Sequence, residues 1–174
     1  MKRNINRLKK QQGFGIMSVI LGIVASAVLL LVAFKTYQHA MLKIKINQAQ
    51  DQIQQISSGI DSLYANFHDY SSITTKTVID AGIVNKGDIV DSKIASPWYS
   101  SQKAAIVTVK PAAELNSYTI TMAKIPQNAC SGIVAMFLEK QANNIKVNGT
   151  AVTDPATLAA ACASNQVAEI AISF

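Results

Sequence analysis

Charge is missing from one long stretch of this sequence. No Asp, Glu, Lys or Arg occurs from Phe14 to Phe34, and the first proline of the chain is Pro97. A helix over these residues, rising ~1.5 Å per residue, spans roughly 31 Å, which matches the hydrocarbon core of a bilayer. A secretory signal peptide has a shorter apolar region that ends in a small-residue cleavage site, a pattern this segment does not follow. We therefore expect the segment to stay on the chain and to span a membrane.

Residues that bind metals or attack substrates are also scarce. The two histidines, His39 and His68, are far apart in the sequence, and with Cys130 and Cys162 they form no metal-ligand spacing. Nothing near either cysteine suggests a base that would activate it as a nucleophile, and the glycines at 13–15 follow no strand that would make them a nucleotide loop. We expect no enzymatic activity, metal or cofactor.

The net charge of +6 is concentrated at the N-terminus. All basic residues of the leader precede Gly13, with no acidic residue among them: Lys2, Arg3, Arg7, Lys9 and Lys10. The rest of the chain carries eleven basic and ten acidic residues, so we expect no nucleic-acid surface. Basic residues ahead of an apolar span favour a cytoplasmic N-terminus, which directs the remainder of the chain outward.

A second periodic pattern follows the apolar segment. Its apolar residues recur at the spacing of one helical face: Ile53, Ile56, Ile60, Leu63, Tyr64 and Phe67. We predict one helix from Phe14 to Phe67, apolar on all sides over residues 14–34 and amphipathic over residues 35–67. The amphipathic half requires a surface on which to pack.

The remaining residues, 68–174, predict a small globular domain that completes an α+β chain. Strands are expected at 104–109, 117–122, 145–147 and 167–174, and helices at 77–81, at 131–141 and after Asp154-Pro155. Residues 85–103 are predicted to form a long loop, whose Trp98-Tyr99 pair either packs under the loop or contacts a receptor. Asn148-Gly149 predicts a hairpin turn, although with Thr150 it also fits a glycosylation motif.

The two cysteines lie in the last third of the chain. If this part is exported, Cys130 and Cys162 reach an oxidising compartment, where they could pair. The closed loop would stabilise the fold by roughly 3–4 kcal/mol in the chain-entropy account.

These features resemble a type IV prepilin. A basic leader ends in Gly13 and is followed by Phe14, an apolar helix, an amphipathic continuation and a C-terminal cysteine pair. Three segments are similar to the type IVb class, especially to pilins of conjugative thin pili and enteric adhesive pili: DAGIV at 80–84, SPWYS at 96–100 and YTITMAKIPQNAC at 118–130. The resemblance implies a pilin fold, in which a long N-terminal helix packs on an antiparallel sheet and a disulfide bounds the C-terminal region 130–162.

The resemblance also implies a route of processing and assembly. A prepilin peptidase would remove residues 1–13 by cutting between Gly13 and Phe14, and would methylate the new N-terminus at Phe14. The precursor would lie in the bacterial inner membrane with its globular domain in the periplasm. An assembly ATPase and a platform protein would then add it to an extracellular filament of identical subunits, for adhesion, aggregation or conjugative mating.

One position departs from the family pattern. The fifth residue after the cut is usually a glutamate, thought to neutralise the terminal ammonium of a neighbouring subunit, and here it is Ser18. Small residues at helical spacing predict a helix-packing seam between subunits instead: Gly15, Ser18, Gly22 and Ser26. The departure leaves open a minor or tip pilin or a pseudopilin. A membrane-anchored periplasmic factor that forms no filament is a further alternative, and it predicts an uncut N-terminus.

Overall fold

The computed structural model describes residues 14–67, 69–113, 116–141 and 145–174. The described residues form two compact units, one up to Met41 and one from Leu42 to Phe174. In chain order the elements are α1 (Phe14–Leu63), α2 (Thr75–Asp80), a short 3-10 helix (Lys86–Asp88), β1 (Ile89–Val90), β2 (Lys93–Ala95), β3 (Ile106–Pro111), β4 (Tyr118–Pro126), α3 (Gln127–Gln141), β5 (Ile145–Val147), β6 (Thr150–Ala151), α4 (Pro155–Ala163) and β7 (Val167–Ser173).

The strands form one antiparallel sheet in the order β1-β2-β3-β4-β7-β5-β6. The last strand of the chain, β7, lies inside the sheet, where Ile172 is opposite Ile120 of β4 and also opposite Ile145 of β5. The C-terminus is therefore held on both sides by hydrogen-bonded neighbours. The predicted α+β class, with a long N-terminal helix and an antiparallel sheet, is confirmed.

One hydrophobic core holds the Leu42–Phe174 unit together. From α1 it receives Ile53, Ile56 and Ile60, all almost completely buried. From β4 it receives Tyr118, Ile120 and Met122, because alternate side chains of a strand point to the same face of the sheet, and after the irregularity that follows Met122 it receives Ile125. The core-facing role predicted for the three isoleucines agrees with their burial.

The same prediction is wrong for Leu63 and Phe67, which are 43% and 64% exposed. The helix ends at Leu63 instead of Phe67, and Phe67 donates its backbone N–H to Tyr64 in a turn. Leu63 lies at the edge of the apolar face. Phe67 keeps the helical spacing in the sequence, but it lies four residues beyond the end of the helix, so the spacing no longer places it on the helical face. Tyr64, between them, is buried against the Tyr70 ring.

Residues 85–103 contain more regular structure than predicted. The 3-10 helix and the β1–β2 hairpin lie within the expected loop. Asp91 and Ser92 form the hairpin turn with φ values of 51° and 58°. Two consecutive residues with positive φ suit a tight hairpin, but Asp-Ser lacks the glycine or asparagine that usually signals one in a sequence. Trp98 is buried, in agreement with packing under this segment.

Two element boundaries also differ from the prediction. Strand β4 continues to Pro126 through an irregularity between Met122 and Ile125, where Lys124 has a φ of 55°. Helix α3 begins at Gln127, directly after this proline, so Cys130 lies within the helix instead of preceding it. The strand–helix junction is therefore immediate, with no loop between the two elements.

Gly59 is a point of close approach between α1 and the segment after α2. A Cβ added to Gly59 would lie 2.3 Å from Ile83 Cγ2, closer than two carbon atoms can pack. Gln55, one turn earlier on α1, donates its side-chain N–H to the carbonyl oxygen of Ile83 at 2.8 Å. A glycine at position 59 allows Ile83 to lie on the helix.

We expect Gly59→Ala to destabilise the Leu42–Phe174 unit. Alanine favours a helix by about 1 kcal/mol over glycine, but overpacking costs about 1–3 kcal/mol, so we expect a net loss on the order of 1 kcal/mol. Trp98 is buried and is the chain's only tryptophan, so its fluorescence during urea unfolding in detergent micelles reports on this unit. The control is Ser58→Ala at the neighbouring exposed position. An unchanged or raised midpoint for Gly59→Ala would show that Ile83 moves freely.

Candidate assembly surface

Among the described residues of the unit that ends at Met41, the first part of α1 has no apolar partner. Its large apolar side chains from Ile16 to Phe34 are between 53% and 71% exposed. Among the described residues, α1 is the one helix that is long and apolar enough to cross a membrane. Exposing so many apolar side chains to water is unfavourable, so this surface requires lipid or other apolar helices.

The few polar side chains on this surface bond within their own helix. Ser18 Oγ donates to the Gly15 carbonyl oxygen at 3.0 Å, and Ser26 Oγ donates to that of Ile23 at 2.9 Å. Such bonds satisfy a hydroxyl donor where no water is available. The serine that occupies the usual glutamate position is therefore neutral, and its hydroxyl donates without help from a second subunit.

The predicted seam is open in the single chain. No heavy atom outside the helix lies within 4 Å of a Cβ built on Gly15 or on Gly22. Both serines of the seam are exposed. A substitution at Gly15 or Gly22 therefore meets no other described part of the chain, which makes it a clean probe of contacts between chains.

The second part of α1 is held in place by polar side chains as well as by the isoleucines. Gln50 Nε2 donates to the carbonyl oxygen of Gly132 at 2.9 Å, and Gln52 Nε2 donates to that of Ala95 at 3.0 Å. With the Gln55 bond, three glutamines attach α1 to three distant segments. Sequence periodicity places these residues off the apolar face but carries no signal that they bind backbone carbonyls.

Tyr118 links β4 to α1 through its hydroxyl. Its Oη donates to Asp61 Oδ1 at 2.9 Å and lies 3.3 Å from Ser57 Oγ. The ring stacks on Phe174, the last residue of the chain. Burial raises the pKa of Tyr118, and the nearby Asp61 carboxylate adds to the effect. The hydroxyl therefore stays protonated and remains a donor at all physiological pH values.

The C-terminal region contains the predicted disulfide. Cys130 of α3 and Cys162 of α4 are bonded, with a Cα–Cα distance of 5.8 Å, and both are buried. Asp154 caps α4 by accepting N–H bonds from Ala156 and Thr157. The Thr157 backbone N–H contributes most to lowering the pKa of the Asp154 carboxyl. The carboxylate therefore keeps its charge, and with it the cap, to a lower pH than an ordinary aspartate would.

Asn148 has a structural role that the sequence only partly indicates. It forms the predicted turn with Gly149, at φ values of 51° and 80°. Its Nδ2 also donates to the carbonyl oxygen of Ala161, and its Oδ1 accepts the backbone N–H of Glu169. The side chain therefore joins α4 to β7, so its amide already has partners inside the fold.

The predicted cleavage site is only partly covered by the structure. Gly13 and the leader 1–13 lie outside the described residues, as does His68. Phe14 is the first residue of α1. Among the described residues, no group of three or more His, Cys, Asp or Glu side chains has the arrangement of a metal site.

Comparison with known proteins identifies the family. A family model described as PilS N terminal matches residues 43–174. The chain belongs to this family. The fold matches a type IVb pilin from Salmonella typhi at 19% identity and a TM-score of 0.55, over 72% of this chain and 97% of that one. It also matches TcpA, a type IV pilin from Vibrio cholerae El Tor biotype, at 11% identity and a TM-score of 0.55, over 75% and 98% of the two chains.

These matches confirm the resemblance to type IVb pilins that the sequence suggested, together with the pilin fold. A comparison with curated proteins finds no significant match. The family model begins at residue 43, so the apolar part of α1 and the seam lie outside the matched residues. The assignment of an assembly surface to that part of the chain therefore depends on its exposed apolar side chains and not on the family match.

We expect Tyr118→Phe to destabilise the fold at neutral pH by about 1 kcal/mol, because the bond to Asp61 is lost while the ring is kept. The pKa of Tyr118 is higher in the folded protein than the ordinary tyrosine value of 10.0. The protonated hydroxyl therefore stabilises the folded state fully below pH 10, and this stabilisation is lost as the pH rises above 10. The difference between wild type and Tyr118→Phe should therefore shrink between pH 10 and 11. Urea midpoints from Trp98 fluorescence at both pH values test this. A constant difference would mean that the hydroxyl titrates normally.

Proposed function

We propose that this chain is a structural subunit of a type IVb pilus. The observation that carries the proposal is a pilin fold combined with a helix whose apolar surface, from Ile16 to Phe34, is exposed among the described residues of its unit. The helix is stable in lipid before assembly and stable among other copies of itself afterwards, since both settings hide it from water.

The proposed route begins with a precursor in the bacterial inner membrane, with a cytoplasmic N-terminus and a periplasmic globular domain. Prepilin peptidase cuts between Gly13 and Phe14, and Phe14 is methylated. An assembly ATPase and a platform protein then move the subunit into an extracellular filament used for adhesion, aggregation or conjugative mating. No residue of this chain is proposed to perform catalysis, and its role in the route is to fold, insert and pack.

The processed N-terminus provides the most direct test. Filaments sheared from the cell surface should contain this chain beginning at N-methylated Phe14, and its intact mass should be two hydrogens below that of the reduced form because of the disulfide. Intact and N-terminal mass spectrometry measure both features in one sample.

A full-length chain found only in the membrane fraction would contradict the proposal and would favour a membrane-anchored periplasmic factor. A processed chain that is present in filaments only in trace amounts would indicate a minor or tip subunit, the alternative that Ser18 in place of glutamate favours. An abundant processed chain would identify a main filament subunit.

We also expect the seam to matter for assembly. Gly22→Leu should lower the filament yield about tenfold, because helix contacts of about 1–2 kcal/mol in lipid depend on small residues at the interface. The control is Ala27→Leu, which introduces the same side chain on the opposite face of α1. The yield of sheared filaments, normalised to membrane content, measures the effect. Equal yields from the two variants would remove the seam from the account.

A further inference from the structure

A groove in the Leu42–Phe174 unit lies between two distant parts of the chain. One wall is α1, which contributes Asp51 and Gln52, and the other is residues 85–103, which contribute Asp88 and Tyr99. The groove has a volume of about 570 Å³ and opens to solvent. None of its lining residues belongs to the predicted seam or to the disulfide region.

Gln52 gives the groove an unsatisfied acceptor. The side chain is only 8% exposed, and its Nε2 donates to the Ala95 carbonyl oxygen. This bond fixes the orientation of the amide, so the other atom is the oxygen, Oε1. Oε1 is buried and has no hydrogen-bond partner. A buried acceptor without a donor is rare because it costs free energy, and a bound donor would remove that cost.

Two carboxylates in the same lining are also unpaired. Neither Asp51 nor Asp88 forms an ion pair, and the one ion pair among the described residues joins Lys76 to Asp80. The only cation in the described lining is Lys103, and its Nζ lies over the Tyr99 ring, 4.8 Å from the centroid. The groove thus offers two unpaired carboxylates to a cationic ligand that donates hydrogen bonds, next to a buried amide oxygen that lacks a donor.

An ammonium group matches the charge of this lining. It carries a positive charge and three N–H donors, whereas an anion would be repelled and an apolar group would leave Oε1 unsatisfied. The groups required of the ligand are therefore those at the end of a lysine side chain. Both arginines of the chain precede Gly13. After the leader, the basic residues are therefore lysines and two histidines.

Basic and acidic residues are unevenly distributed along the chain after the leader. Residues 14–50 contain Lys35, Lys43 and Lys45 and no acidic residue, a net charge of +3. Residues 51–174 contain eight lysines and ten acidic residues, a net charge of −2. Lys35, Lys43 and Lys45 form no ion pair with any other residue that the structure describes. One copy therefore presents unpaired cations, and another presents unpaired acceptors.

We propose that the groove binds a lysine ammonium from residues 35–45 of a second copy of this chain. The proposal deepens the proposed function and rests on it, because it names a contact between neighbouring subunits. The contact sets which part of one subunit faces which part of the next, a choice that apolar packing alone leaves open since it is not directional.

Cross-linking of wild-type filaments tests the contact directly. Filaments assembled from a mixture of unlabelled and 15N-labelled subunits are treated with a carbodiimide, which joins a carboxylate to an amine only when the two are in contact. We expect cross-links from Asp51 or Asp88 to Lys35, Lys43 or Lys45, in peptides that combine labelled and unlabelled halves. Cross-links from these carboxylates only to lysines at 76–146, or only within one subunit, would overturn the proposal.

Neutralising the charged residues by mutation provides a second, independent test of the contact. Asp51→Asn/Asp88→Asn filaments should dissociate at about half the wild-type salt concentration, measured as the fraction that pellets, because the contact is electrostatic. The triple variant Lys35→Gln/Lys43→Gln/Lys45→Gln should show the same loss, and combining both sets should add little, since the two sets share one contact. Matched controls are Glu169→Gln and Lys110→Gln, both exposed elsewhere on the sheet.

Unfolding of each variant in detergent, followed by Trp98 fluorescence, separates lost assembly from lost folding. If the Asp51→Asn/Asp88→Asn filaments match the Glu169→Gln control at every salt concentration, the proposal is wrong while the pilus function stands. If the wild-type chain forms no filaments, the proposed function fails, and this contact fails with it.

Discussion

The burial of one isoleucine face of α1 against an antiparallel sheet is the interaction on which the folded unit depends. Ile53, Ile56 and Ile60 provide the apolar contact, and the neighbouring glutamines bind carbonyl oxygens of three separate segments. The same helical turns therefore contribute to the core and position the segment after α2 that contains Ile83, the β1–β2 hairpin and α3. Because Gly59 has no side chain, the segment that contains Ile83 lies directly on the helix.

The first part of α1 obeys a different constraint. Its apolar side chains surround the helix, its serines bond within it, and no described residue of its unit covers it. Such a segment is stable in two settings, lipid and a bundle of similar helices, and a transfer between them exposes little apolar surface to water. This equivalence is the physical basis of the proposal that the subunit is held in a membrane before it is packed into a filament.

The sequence predicts those features that depend on periodicity and on local chemistry. The apolar segment, the isoleucine face, the alternating strand at 118–122 and the Asp154-Pro155 helix start all have a repeat or a cap that can be recognised. The errors arise where tertiary contacts decide. Phe67 continues the helical pattern although the chain has already turned, and the Asp91-Ser92 turn has positive φ without glycine. Gln52 and Tyr118 bind partners that lie more than forty residues away in the sequence. No local sequence pattern reveals such partners.

The central claim is that the apolar part of α1 leaves the membrane and packs against other copies of itself. A helical reconstruction of purified filaments by electron cryo-microscopy tests this most directly. The account predicts that residues 14–34 of neighbouring subunits form the centre of the filament, with Gly22 facing another helix. A filament whose centre holds globular domains or lipid, with residues 14–34 on its outside, would contradict it.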